Sequence, residues 1–157
     1  MQLRSVVLAL SAAAALGACA VNIQDHAPPA PAFDAQGLVD ARQGGMAMSV
    51  GALGAVSAGY DKKAAAKSYR LPAEGLANFA RSLPALFDAR TAGIAGTGAS
   101  PAIWNDGAGF AARTTAYRDA TGALLAAIDA GDDAGIAAAL ASTKAACKAC
   151  HDTYRTQ

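Results

Sequence analysis

The chain has 157 residues, with 13 Lys and Arg against 12 Asp and Glu and a formal charge of +1 at neutral pH. So even a balance, with no basic stripe, excludes nucleic acid as a partner. Aromatics make up only 6% of the chain, Val and Ile are sparse, and alanine dominates, so the periodic stretches favour helix and strands are not expected.

The chain opens with Arg4, an apolar run from Val6 to Leu16, and small residues, the pattern of a signal peptide over residues 1–18. The run is too short to span a bilayer as a mature helix. Leu16-Gly17-Ala18-Cys19 reads as a bacterial lipobox, which would make Cys19 the lipidated N-terminus. Acyl chains add roughly 0.8 kcal/mol of membrane affinity per buried methylene. Ala20 rather than Asp follows Cys19, which favours the outer membrane as destination. The alternative is ordinary cleavage near Ala18 or Ala20. Residues 19–33 then form a tether with Pro28, Pro29 and Pro31, semi-extended at about 3 Å per residue.

Residues 34–157 are the size of one domain. A first helix is predicted from about Asp34 to Tyr60, with Leu38, Met46, Val50 and Leu53 near helical spacing. Gly44, Gly45, Gly51 and Gly54 would each cost about 1 kcal/mol relative to alanine in a helix interior. Close approach of a neighbouring helix or a flat ligand is the expected compensation. Asp61, Lys62, Lys63 and Lys67 mark a solvated turn. The second segment opens with Pro72 at a first helical position and keeps Leu76, Phe79, Leu83, Leu86 and Phe87 on one face. Pro84 should kink it or end its regular part. The run from Thr91 to Ala99 reads as a flexible connection.

Ser100 and Pro101 are expected to start the third segment. Ile103, Phe110, Tyr117 and Leu124 recur every seven residues, the spacing of a bundle seam. Gly131 breaks it, and Asp132 or Asp133 caps a fourth segment that carries Ile136, Leu140, Thr143, Cys147, Cys150 and Tyr154 at helical spacing. Four helices with short links between the first and second, and between the third and fourth, predict an all-α, antiparallel up-down-up-down four-helix bundle.

The fourth segment ends in Cys147-Lys148-Ala149-Cys150-His151. On a helix these thiols and the imidazole share one face, and C-x-x-C-H is the attachment signature of c-type haem. Two thiols must reach two vinyl groups on one macrocycle edge while the imidazole lies on the axis through the iron. A zinc site would need a second Cys/His pair, and none exists. A thiol oxidoreductase would need a βαβ pattern, which the helical periodicity opposes. With two cysteines for haem and Cys19 for lipid, the odd count of three leaves none over. Only six residues follow His151, so a residue on the opposite haem face must come from upstream helices.

The chain resembles the cytochrome c′ family, the class II c-type cytochromes, over essentially all of Phe33 to Arg155. The resemblance rests on four stretches in order: Arg42-Gln43-Gly44-Gly45-Met46, Leu83-Pro84-Ala85-Leu86-Phe87, Ile103-Trp104-Asn105-Asp106 with Phe110, and the C-x-x-C-H followed by Tyr154-Arg155. It implies one covalent haem c, with thioethers at Cys147 and Cys150, His151 as axial iron ligand, and Met46 against the distal face. It places Arg42 near the haem propionates and Arg155 near the proximal ligand, where a fixed positive charge favours the reduced haem. Taken alone, Met46 would be core filler and both arginines surface residues. The glycines after Arg42 replace the bulkier residues common in the family, which makes the width of the distal pocket an open question.

Two functions follow from the resemblance. One is a five-coordinate haem that binds NO or CO, uncharged gases that bring no desolvation cost into a dry pocket, and that exchanges single electrons. The other is a six-coordinate His/Met electron carrier like cytochrome c-556, with the Met46 sulfur on iron. His26 lies in the tether, so no spare histidine serves as acid or base, and no substrate-turnover site is expected. Periplasmic redox partners and a homodimer through the first two helices are implied by resemblance only.

Overall fold

The computed structural model describes residues 33–156, so the expected signal peptide, Cys19 and the tether up to residue 32 lie outside the described residues. Five α-helices follow in order: α1 (Ala35–Asp61), α2 (Arg70–Ser82), the single turn α3 (Ala102–Asn105), α4 (Gly107–Ala130) and α5 (Asp133–Tyr154). No strand is present among the described residues. The architecture is an antiparallel four-helix bundle of α1, α2, α4 and α5.

Aspartates start three of the four long helices. The Asp34, Asp106 and Asp132 carboxylates accept from the backbone N–H of Gly37, Gly109 and Gly135 at 2.8, 3.0 and 3.0 Å, each satisfying an orphan donor of a first turn. Gly131 ends α4 at φ 65°, a left-handed conformation that a side chain would strain. Pro84 lies in the 3₁₀ stretch Leu83–Phe87 that follows α2, as a missing N–H requires. α2 begins two residues before Pro72, within the first turn where proline is still tolerated.

The predicted third segment is split. Ser100 Oγ accepts from the Ala102 backbone N–H at 3.2 Å, but the turn it starts ends at Asp106, which caps a new helix, α4. The seven-residue seam survives the break, because Ile103, Phe110, Tyr117 and Leu124 are all buried.

The core has three layers. At one end Val56, Leu76, Leu124, Ile128, Ile136 and Leu140 pack together. In the middle Ala80, Leu83 and Tyr117 meet Met46, Phe79 and Cys147. At the other end Ile103, Phe110 and Tyr154 meet Phe87, Trp104 and Cys150. Each fully buried aliphatic side chain contributes roughly 1.5–3 kcal/mol. α1 packs on α2, α2 on α4, and α4 on α5.

Two expectations about α1 need correction. Val50 is 75% exposed, and the buried valines of the helix are Val39 and Val56. Of the four glycines after Arg42, only Gly45 meets a neighbour, since a Cβ there would collide with the Phe79 ring. Gly44, Gly51 and Gly54 meet no protein atom within 4 Å, so no neighbouring helix compensates them, and Gly54 lines a cavity instead. The 91–99 connection also differs from a free loop. Ser100 N–H donates to Tyr154 O and Thr156 N–H to Gly98 O, both at 3.0 Å, so the loop is pinned to the end of α5.

Candidate functional site

A cavity of about 1000 Å³ lies between α1 and α5, and α2 and α4 contribute to its walls. Its wall from α5 carries the motif. Cys147, Cys150 and His151 all line it, because three- and four-residue steps on a helix return to one face. Both cysteines are free thiols, half-buried. Burial pushes both thiols above the usual cysteine value, because the thiolate loses hydration. Burial also lowers the His151 pKa, and the Arg155 charge lowers it further against a smaller opposing effect of Asp152. At neutral pH the imidazole is therefore neutral, with a lone pair free for a metal.

The wall from α1 brings Arg42, Met46, Ser49 and Leu53 to the same cavity, again at helical spacing. Met46 is half-buried in the middle core layer with Tyr117 and Cys147. Both Met46 and the C-x-x-C-H residues thus line one cavity, as a distal and a proximal wall would.

Arg42 is only 2% exposed, so it is no surface residue. Its Nη1 donates to Thr91 Oγ1 at 3.0 Å and to Leu86 O at 3.5 Å, and its guanidinium lies 4.7 Å from the Phe87 ring centroid. Burial lowers its pKa. Its Nη2 has no hydrogen-bond partner, and a charge this deep needs an acceptor. Arg155 also lines the cavity but is exposed. Its backbone N–H caps α5 through His151 O at 3.3 Å, and its backbone pairs with Ala99.

Several contributors escaped the sequence reading. Thr91 reads as a loop residue in the sequence, yet it is fully buried, and its long-range bond to Arg42 gives it a role. Tyr117 has the spacing of a seam residue, yet it is only 6% exposed and also lines the cavity. Burial raises its phenol pKa, and a hydrogen bond with Ser49 works against that. Arg113 and Lys144 also line the cavity, and no local pattern distinguishes them from other surface cations. No group of three His, Cys, Asp or Glu side chains that could hold a metal occurs among the described residues.

A family model described as cytochrome C′ matches residues 37–155. A cytochrome c′ of Cereibacter sphaeroides is 35% identical over 137 residues, which cover 82% of this chain and 89% of that protein. Three shorter alignments to curated cytochromes c′ span 66%, 50% and 56% of those relatives' lengths. The crystal structure of cytochrome c′ from Thermochromatium tepidum superposes with a TM-score of 0.73 at 27% identity, covering 80% of this chain and 98% of that one. A ferrous variant of cytochrome c prime from Alcaligenes xylosoxidans with bound NO superposes at 0.71 and 30% identity, covering 79% and 97%.

Proteins of this family bind one covalently attached haem c. The residues here fit such a group. Two free thiols and a neutral imidazole share one wall, Met46 and Leu53 stand on the α1 wall, and a buried guanidinium has one nitrogen without a hydrogen-bond partner. By a family match over most of its length and a relative aligned along most of both chains, this protein belongs to the cytochrome c′ family.

Proposed function

We propose that this chain is a periplasmic haem c protein that binds NO or CO at five-coordinate iron and exchanges single electrons. When bound, the haem supplies an iron that changes oxidation state and takes a diatomic gas. The observation that carries the reading is one cavity of about 1000 Å³ lined by Cys147, Cys150 and His151 from α5 and by Met46 from α1.

In this reading Cys147 and Cys150 form the thioethers and His151 is the axial ligand. The C-x-x-C-H spacing supports those roles, as does the lowered pKa that leaves His151 neutral. Arg42 takes a propionate carboxylate, which would give its unpartnered Nη2 an acceptor. Arg155 supplies a positive charge near His151. Met46 and Leu53 put apolar side chains on the α1 wall, where the uncharged NO and CO bring no desolvation cost. The Alcaligenes xylosoxidans structure with bound NO is consistent with that ligand class. No residue is assigned to substrate turnover.

One observation favours a second reading, in which Met46 is the sixth ligand: its side chain lines the cavity and packs in the layer of Cys147. The absorption spectrum of the purified, haem-loaded protein beside Met46→Ala separates the two. A high-spin reduced spectrum unchanged in the variant is expected. A low-spin spectrum that turns high-spin in Met46→Ala assigns the protein to the His/Met electron carriers instead. Retention of all haem by the Cys147→Ser, Cys150→Ser double variant through acid–acetone extraction would refute covalent attachment.

The chain's first 33 residues are proposed as a lipoprotein signal peptide, a lipidated Cys19 and a tether, supported by the Leu16-Gly17-Ala18-Cys19 sequence. Among the described residues no helix is long and apolar enough to cross a membrane. Cys19→Ser should move the protein from the membrane fraction to the soluble periplasmic fraction. Unchanged fractionation removes the anchor from the reading.

A further inference from the structure

Every charged side chain that lines the cavity is basic: Arg42, Arg113, Lys144 and Arg155, together with the titratable His151, and no Asp or Glu is among them. The whole chain is nearly balanced, so this is segregation and not composition. Several carboxylates are engaged outside the lining, and Asp106 reaches it only through the Tyr154 hydroxyl. Asp34, Asp106 and Asp132 cap helices, and Glu74 with Asp129 binds Arg70.

Arg42 lies deep in the cavity, whereas Arg113 on α4, Lys144 on α5 and Arg155 just beyond α5 are exposed at its rim. None of these three makes an ion pair among the described residues. Neighbouring surface cations are neutralised: Arg118 by Asp119 and Lys148 by Asp152.

The bland account is that the rim exists to offset the haem propionates. The charge count goes beyond it. Both propionates together offset two positive charges, and Arg42, with its unpartnered nitrogen, is placed to take one of them. At least two of the three rim cations are left over, and a ferric haem core adds positive charge. Several like charges around one opening focus a field that steers anionic partners and raises association rates about 10- to 1000-fold at low salt.

We propose that the rim of Arg113, Lys144 and Arg155 is the docking surface for an acidic redox protein, which exchanges one electron with the haem there. In the reducing direction the partner loses one electron and iron goes from ferric to ferrous, with no proton transfer required. Lys144 stands one turn before Cys147 on α5, and the charges of Arg113 and Arg155 reach Cys150 and His151, so a partner seated on the rim would approach the residues that would hold the haem. This inference rests on the assignment of those three residues to haem.

The experiment is stopped-flow reduction of the ferric, haem-loaded protein by flavodoxin hydroquinone, an acidic protein donor, across a series of salt concentrations. Lumiflavin semiquinone generated by flash photolysis, uncharged at neutral pH, serves as the small control. The flavodoxin rate should fall about tenfold between low and physiological salt, while the lumiflavin rate stays flat. The Arg113→Glu, Lys144→Glu variant should flatten the salt dependence of the flavodoxin rate and lower that rate at low salt about tenfold relative to its own lumiflavin rate, which stays independent of salt. A flavodoxin rate that is flat or rises with salt in the wild-type protein overturns the proposal, and so does a double variant equal to wild type. The wild-type comparison needs no variant to fold. A protein that shows no haem spectrum overturns the haem assignment, whereas an intact spectrum with salt-independent reduction overturns only the docking surface.

Discussion

Tyr154 Oη donates to Asp106 Oδ2 at 2.6 Å, a side-chain bond that joins the last turn of α5 to the cap of α4 across 48 residues of sequence. The same carboxylate caps α4 through Gly109 N–H, and the Tyr154 ring packs edge-on against Phe110. A Cβ at position 109 would collide with both partners, so the glycine is what lets them meet. The bond fixes the C-terminal turn that also carries Cys150 and His151, and it explains why the third segment breaks at Asp106.

From this bond follows a pH-dependent stability. The hydrogen bond from Tyr154, and then that from Gly109, hold the Asp106 carboxyl below the usual carboxylate value. A lowered folded-state pKa stabilises the fold above the unfolded value of about 4, and the gain is lost as pH falls through the folded value. Tyr154→Phe should therefore lower the Tm at neutral pH, and the gap to wild type should close as the solution is acidified below about pH 4. Thermal melts across that range check it; a gap independent of pH counts against the bond.

Arg42 and Thr91 form the second long-range pair. Thr91→Val removes the hydroxyl that accepts from Arg42 Nη1 and leaves a buried charge poorer by one acceptor. A loss of about 1–3 kcal/mol is expected from denaturant unfolding. Arg42→Lys should not restore stability, because an ammonium cannot reproduce the planar fork that reaches Thr91, Leu86 and the Phe87 face. A lysine variant as stable as wild type would show that only the charge matters.

Two adjacent glycines should respond in opposite directions. Gly45→Ala forces the Phe79 ring to move and should destabilise by about 1–3 kcal/mol through overpacking, more than the helix propensity it gains. Gly44→Ala meets nothing within 4 Å and should stabilise by about 1 kcal/mol. Equal effects in urea unfolding would contradict the close approach of α1 and α2.

The proposed place of Arg155 beside His151 carries an expectation for the reduction potential of the loaded protein. A positive charge disfavours the more positive ferric state, so Arg155→Gln should lower the midpoint. An exposed charge interaction of about 0.5–1 kcal/mol corresponds to roughly 20–40 mV for one electron. Spectroelectrochemical titration reads it directly. A midpoint that stays put or rises places Arg155 outside the range of the iron.

The sequence by itself determined the elements and the family. Helical periodicity, the aspartate caps, Gly131 and Pro84 are local features, and they act within a turn or two of where they stand. For the same reason C-x-x-C-H puts two thiols and an imidazole on one face without reference to the rest of the chain. What the sequence could not contain was which side chains meet across the bundle. Arg42 reads as an ordinary helix-surface arginine until the 3₁₀ stretch around Thr91 folds over it. Val50 has the spacing of a core residue, yet it is left exposed at the rim of the cavity that α1 shares with α5. Arg113 and Lys144 look like any surface cations until α4 and α5 bring them to one rim with Arg155. Met46 and Cys147, a hundred residues apart, line one cavity only because α1 and α5 stand on opposite sides of it. Local hydrogen bonding and periodicity set the helices, but burial and charge segregation are properties of their packing, and packing is decided by the whole chain at once.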